Sequence, residues 1–169
     1  LKLVFTADLG SASSYTINGP GRIDIDEDIY NDMTSAQTIN APIRFFGAFS
    51  SPSKLSNRRD DRVGGLITLG AVTINSNGLD VYASTNGIKI TGAVTGGRLR
   101  HHGPGTLSLE AASTHSGGIT IKGGTVSYGF GSALGSLSNR ITFDGNASDT
   151  PSLRRTSTGT LALPISIGG

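Results

Sequence analysis

The chain has 169 residues and a net charge of +2, from 14 basic and 12 acidic side chains, and it contains no cysteine. The missing cysteine excludes disulfide bonds, a thiolate nucleophile and a cysteine-ligated metal site. The balanced charge does not point to a nucleic-acid partner, and no apolar run reaches the roughly 18 residues that a transmembrane segment requires.

Short alternating runs recur from one end of the sequence to the other. Each places two apolar side chains on one face with a small or polar residue between them, which is typical of a half-buried strand. Gly, Asn, Ser or Pro separate most runs, and strong helix formers such as Glu, Lys and Met are scarce. We therefore predict an all-β fold with little or no α-helix. In chain order, the predicted strands are 23–25, 43–45, 67–69, 72–74, 79–81, 88–90, 107–109, 119–121, 126–128, 141–143 and 165–167.

Internal echoes favour a solenoid over a sandwich or a barrel. Residues 19–26 resemble residues 103–110 at an offset of 84, and residues 55–58 resemble residues 137–140 at an offset of 82. Such a repeat is too long for one rung and would contain several coils of roughly 20–25 residues each. The sequence thus predicts a parallel β-helix of roughly seven or eight coils, in which stacked coils form one continuous core.

One segment departs from the alternation. Residues 50–65 are polar and basic, and we predict that they form a surface loop inserted at one corner. A second basic group lies about 35 residues further along the chain. If both groups fall on one face together with Arg154 and Arg155, they would form a basic stripe suited to an anionic polysaccharide or an envelope lipid, although scattered and partly paired surface arginines are the favoured interpretation. The candidate binding residues are Arg58, Arg59, Arg62, Arg98 and Arg100.

The acidic residues cluster near the start of the chain. Asp24, Asp26 and Asp28 have the spacing i, i+2, i+4, so on one strand they would share an outward face. Carboxylates placed in this way could bind calcium or serve as the paired carboxylates of a glycosidase. The spacing is not that of an EF-hand, and a solvated face that prevents lateral pairing of strands is the favoured interpretation. We predict no catalytic residue and no cofactor other than this candidate calcium.

The stretch from 105 to 126, GTLSLEAASTHSGGITIKGGTV, resembles the autotransporter-associated β-strand repeat, a passenger-domain motif of the form GTLTLxGxNTYSGGTTIxGGTL. The match covers roughly residues 103–169, and His115 stands where that family usually has tyrosine. The resemblance implies a right-handed parallel β-helix in a large secreted or surface-anchored bacterial protein. Such chains act as stalks, adhesins or filament bodies.

We therefore expect residues 1–169 to form one segment of a right-handed parallel β-helix that belongs to a longer solenoid. The expected function is structural and not enzymatic, as a stalk, adhesin shaft or stacked filament subunit outside the cell or on a bacterial surface. Open ends of a β-helix carry unpaired backbone groups that pair with another rung. The expected partners are therefore flanking repeats, copies of the same chain and surface glycans. The alternatives are a glycan-processing enzyme, either a polysaccharide lyase or a hydrolase, and a glycan- or receptor-binding adhesin.

Overall fold

A computed structural model describes residues 1–6, 13–46, 51–59, 62–145 and 150–168. Strands are numbered in chain order. The longest sheet has eight parallel strands, each paired with the strand one coil earlier and one coil later. Its members are β1 (Leu3–Phe5), β4 (Ile29–Asn31), β7 (Ser53–Ser56), β12 (Leu79–Tyr82), β15 (Leu99–His102), β17 (Ile119–Ile121), β19 (Ile141–Phe143) and β21 (Ile165–Ile167).

Two further parallel sheets form the other sides of the coil. The second sheet consists of β2 (Thr16–Ile17), β5 (Gln37–Ile39), β10 (Ile67–Leu69), β13 (Ile88–Ile90), β16 (Thr106–Leu109), β18 (Thr125–Tyr128) and β20 (Ser152–Arg155). The third sheet consists of β3 (Ile23–Ile25), β6 (Ile43–Phe45), β11 (Val72–Ile74) and β14 (Val94–Gly96). In the later coils the third side is irregular and includes a 3₁₀ turn at Gly131–Leu134.

The register shows that each coil stacks directly on the one before it. Leu3 pairs with Ile29, Leu79 with Leu99 and Ile141 with Ile165, so one turn takes between 20 and 26 residues on the first sheet. Eight strands in that sheet enclose seven turns. The prediction of an all-β parallel β-solenoid is confirmed, as is the predicted length of a coil.

Alternation along each short strand builds the core. In β13, Ile88 and Ile90 point inward and are buried while Lys89 between them faces solvent. The same inward positions in the neighbouring strands are occupied by Ile67 and Leu107, which are also buried. Burial of each large aliphatic side chain contributes about 1.5–3 kcal/mol, so columns of such residues hold the coils together.

Buried asparagines close the corner between the first and second sheets. Asn57 follows β7 directly, and its Nδ2 donates to the carbonyls of Gly65 (3.1 Å) and Gly87 (2.8 Å). Its Oδ1 accepts the backbone N–H of Ser84 at 2.7 Å. One coil earlier Asn31 also donates to the carbonyl of Gly65, at 3.1 Å. These side chains satisfy backbone groups that the strand ladders leave unpaired inside the corner.

The long-range repeat seen in the sequence is not a structural period, because the matched residues do not occupy equivalent positions in the coil. Residues 19–21 lie at the corner between the second and third sheets, whereas residues 103–105 lie at the corner between the first and second sheets. The strands that follow, β3 and β16, accordingly belong to different sheets. Similar glycine-containing turns therefore serve different corners of the coil.

The predicted loop at 50–65 is shorter than expected. Residues 53–56 form β7, a strand of the first sheet, and its Leu55 is fully buried in the core. The segment that leaves the coil is an antiparallel hairpin of β8 (Arg58–Arg59) and β9 (Arg62–Val63). The apolar content of residues 50–65 is too low to reveal this strand, because a single leucine supplies its core contact.

Candidate interaction surfaces

The three aspartates predicted to share one face do not do so. Asp24 lies on β3, whereas Asp26 and Asp28 lie in the corner between β3 and β4, because β3 ends at Ile25. The strand is thus too short to carry the i, i+2, i+4 pattern. Within the described residues, no group of three or more acidic or histidine side chains could hold a metal ion.

These aspartates already have partners within the protein. Arg22 and Arg44 each place a guanidinium nitrogen 2.7 Å from an Asp24 carboxylate oxygen, and these hydrogen bonds, Arg22 first, hold the pKa of that carboxyl below its usual value. Asp28 accepts the backbone N–H of Lys54 at 2.7 Å and the hydroxyl of Tyr30 at 3.2 Å. The contacts of Asp24 with Arg44 and of Asp28 with Lys54 join neighbouring rungs, so these carboxylates are engaged within the solenoid.

A second polar cluster lies on the outer face of the first sheet. Asp80 and Arg100 face each other across β12 and β15, with hydrogen bonds of 2.6 and 3.1 Å. Beside them, the rings of Tyr82 and His102 stack with centroids 4.6 Å apart. Burial opposes ionisation of Asp80, but His102 and Arg100 outweigh it and hold the pKa of the carboxyl below its usual value. Arg100, predicted as a binding residue, is therefore engaged in an internal ion pair.

The predicted basic stripe does not form as one surface. Arg58, Arg59 and Arg62 belong to the hairpin that follows the end of β7. Arg98 immediately precedes β15, at the opposite end of the first-sheet strands and two coils later. Because the strands run parallel, residues before one strand and after another lie at opposite edges of the sheet.

Sequence reasoning missed a groove next to Arg98, which we call the Arg140 groove. It crosses the start of the first sheet between β17 and β19, is open to solvent on one side and has a volume of about 250 Å³. Its floor is the backbone of two consecutive glycines, and its walls carry hydroxyl groups and one guanidinium. The residues that define it are Gly117, Gly118, Thr120, Ser138, Arg140 and Thr142.

Two histidines are buried inside the solenoid. His101 points inward from β15, and its Nε2 lies 3.1 Å from the carbonyl of Gly105. His115 is also fully buried, and neither of its ring nitrogens has a partner among the described residues. Burial lowers the pKa of both imidazoles to about 4. Both rings are therefore neutral at pH 7.

The last described rung exposes its inward face. Ile165 and Ile167 of β21 occupy the core columns, yet they are 55% and 85% exposed. Ile141, one coil earlier in the same column, is fully buried because β21 covers it. The inward face of β21 is thus an apolar surface built in the same way as the core.

No family model, curated protein or solved structure matches this chain. The strand register alone therefore identifies it as a β-solenoid of repeated coils. Among the described residues, no helix is long and apolar enough to cross a membrane.

Proposed function

We propose that this chain is a structural element of an extracellular or surface-anchored bacterial protein, a rigid shaft that joins end to end with further β-coils. The exposed inward face of β21 is the observation that carries the proposal. Its two isoleucines continue the core columns, and burying them beneath another rung would contribute about 1.5–3 kcal/mol each.

The architecture supports a mechanical function. Seven turns at the spacing of neighbouring strands give a rod about 34 Å long. Backbone hydrogen bonds between parallel strands run along the axis of the rod, and each coil contacts only its neighbours. The resemblance of residues 103–169 to the autotransporter-associated repeat supports the proposed location and the function as a stalk, adhesin shaft or filament body.

The first rung offers a matching surface for a second copy. Leu3 on β1 lies in the same register column as Ile167 at the other end of the rod, and Ile165, two residues earlier on β21, is level with Leu1. Placing β1 of one copy beneath β21 of another would continue the core columns and pair two open strand edges. The partner that we propose is therefore a β-coil of the same kind, supplied here by another copy of the chain.

Sedimentation velocity over a concentration series tests this contact. We expect the wild-type chain to associate, and we expect Ile167→Asp to raise the dissociation constant at least about 100-fold, because burying a carboxylate in an apolar contact costs several kcal/mol. Leu137→Asp is the matched control, since Leu137 is 78% exposed but lies in the turn before β19 and not on the end rung. Equal effects of the two substitutions, or a wild-type chain that stays monomeric, would contradict the proposed contact.

A further inference from the structure

The Arg140 groove lies at the start of the first sheet, where a glycine occupies the register position between two arginines. The register pairs Leu99 with Ile119 and Ile119 with Ile141, so Arg98, Gly118 and Arg140 follow one another in successive rungs. Arg98 turns away from the groove, since its Cγ would lie 2.6 Å from a Cβ added at Gly78. A Cβ at residue 118 would lie 2.9 Å from the backbone oxygen of Arg140, so glycine at this position lets the two rungs approach closely.

The glycines at the floor have a structural reason as well. A Cβ at residue 117 would collide with the backbone of Arg98 in the rung before, and Gly118 has a φ of +77°. These requirements explain why residues 117 and 118 lack side chains. The two glycines do not determine which side chains surround the groove, and those side chains are the groups that a ligand would contact.

Arg140 differs from the ion-paired basic residues of this solenoid, such as Lys89 and Lys122, because its charge is not matched internally. Lys89 pairs with Glu110 at 2.9 Å, and Lys122 pairs with Asp144 at 2.9 Å. Arg140 is exposed, and it has no acidic side chain within ion-pair distance among the residues that the structure describes. A planar guanidinium in this state is suited to bind a carboxylate through two parallel hydrogen bonds.

Hydroxyl groups line the groove beside that guanidinium. Thr120 and Thr142 are register partners on β17 and β19, and their side chains lie on the outer face. Within the described part of the chain, neither hydroxyl forms a hydrogen bond with another residue. Each hydroxyl can donate and accept, which matches the hydroxyl groups of a sugar. The groove volume of about 250 Å³ is below the roughly 300–1,000 Å³ of sites that enclose a whole small ligand, so the groove is suited to contact one part of an extended chain.

We propose that the Arg140 groove binds an acidic carbohydrate, with a uronate carboxylate on the Arg140 guanidinium and sugar hydroxyls on Thr120 and Thr142. A single guanidinium beside hydroxyls fits a sugar acid better than a nucleic-acid backbone, which requires several phosphate contacts. This site does not depend on association through the end rungs, so either proposal can fail without the other.

Isothermal titration with tetragalacturonic acid tests the site, with maltotetraose as the uncharged sugar and sodium sulfate as the simple anion. We expect saturable binding of tetragalacturonic acid, and we expect Arg140→Ala to weaken it about 10- to 100-fold, the effect of losing a charged hydrogen-bonded pair. Thr120→Val with Thr142→Val should also weaken binding, while the circular dichroism spectrum of each variant stays unchanged.

Arg154→Ala provides the matched control. Arg154 is an exposed arginine on the second sheet, outside the Arg140 groove; it has no acidic side chain within ion-pair distance among the described residues, but the hollow that it lines also carries the carboxylate of Glu110, which disfavours a bound uronate. We expect this variant to bind tetragalacturonic acid as the wild type does. Four results would each overturn the proposal. Two are the absence of binding and equal losses of affinity in Arg140→Ala and Arg154→Ala. The others are displacement of tetragalacturonic acid by an equal concentration of sulfate, and maltotetraose binding that is as tight as that of tetragalacturonic acid and is not weakened by Arg140→Ala.

Discussion

Acidification from pH 7.5 to pH 5 is expected to destabilise this solenoid through its two buried histidines. Both rings are fully buried, and burial lowers the pKa of His101 and His115 from 6.5 to about 4. In the unfolded chain each ring binds a proton near pH 6.5, whereas in the folded chain it stays neutral down to about pH 4. Unfolding therefore takes up protons in this window, and stability falls as the pH decreases.

The size of the effect follows from the two pKa values. One pH unit corresponds to about 1.4 kcal/mol, so each histidine removes about 3 kcal/mol when the pH falls from above 6.5 to below 4. At pH 5 the loss is about 2 kcal/mol per histidine, or about 4 kcal/mol for both. Typical domains have a free energy of unfolding of about 5–15 kcal/mol, so the predicted loss is a large share of the total.

Urea unfolding at pH 7.5 and pH 5.0 measures this difference. His101→Leu and His115→Leu should each reduce the pH-dependent loss by about 2 kcal/mol, and the double variant should remove most of it. His102→Gln is the control, because His102 lies on the outer face of the same strand. Equal pH dependence in the wild type and the double variant would refute the reasoning. The lowered pKa values of the paired aspartates affect stability only below about pH 4.

Three further outcomes are expected. Asn57→Ala should cost about 3 kcal/mol in urea unfolding, because it removes three buried hydrogen bonds at the corner, whereas Asn40→Ala, which loses one exposed bond, should cost less than about 0.5 kcal/mol. Asp80→Asn should lower the free energy of unfolding by about 1–3 kcal/mol, because it weakens the largely buried ion pair with Arg100. Asp144→Asn weakens an exposed ion pair and should lower this free energy by at most about 0.5 kcal/mol. Similar losses in the two variants would contradict the structure. Calcium should not change the melting temperature, since Asp24 and its neighbours are bonded to protein groups; a calcium-dependent rise that Asp24→Ala abolishes would revive a cation site.

The alternation of apolar and polar residues was sufficient to predict the coil. In Ile88, Lys89 and Ile90 the inward and outward positions can be read directly from the sequence, and the structure confirms them. The side of the coil to which a strand belongs could not be predicted. Three-residue runs look alike in all three sheets, so the glycine-rich turns at 19–21 and 103–105 were matched although they close different corners.

The buried asparagines and the Arg140 groove could not be predicted from the sequence, for a different reason. Asn31 and Asn57 stand 26 residues apart at equivalent ends of β4 and β7, a spacing that could have revealed them once the coil length was known. Arg140 gave no such signal, because its significance depends on Gly118 in the adjacent rung and on the absence of a nearby carboxylate among the described residues. The aspartates were misplaced because the end of a three-residue strand decides which of them share a face.

Negative-stain electron microscopy across a concentration series tests the central proposal most directly. If the inward face of β21 binds the first rung of another copy, wild-type protein should form filaments of uniform width whose length increases with concentration, and Ile167→Asp should remain as single rods. Discrete rods about 34 Å long at every concentration of the wild type would contradict end-to-end joining of this chain.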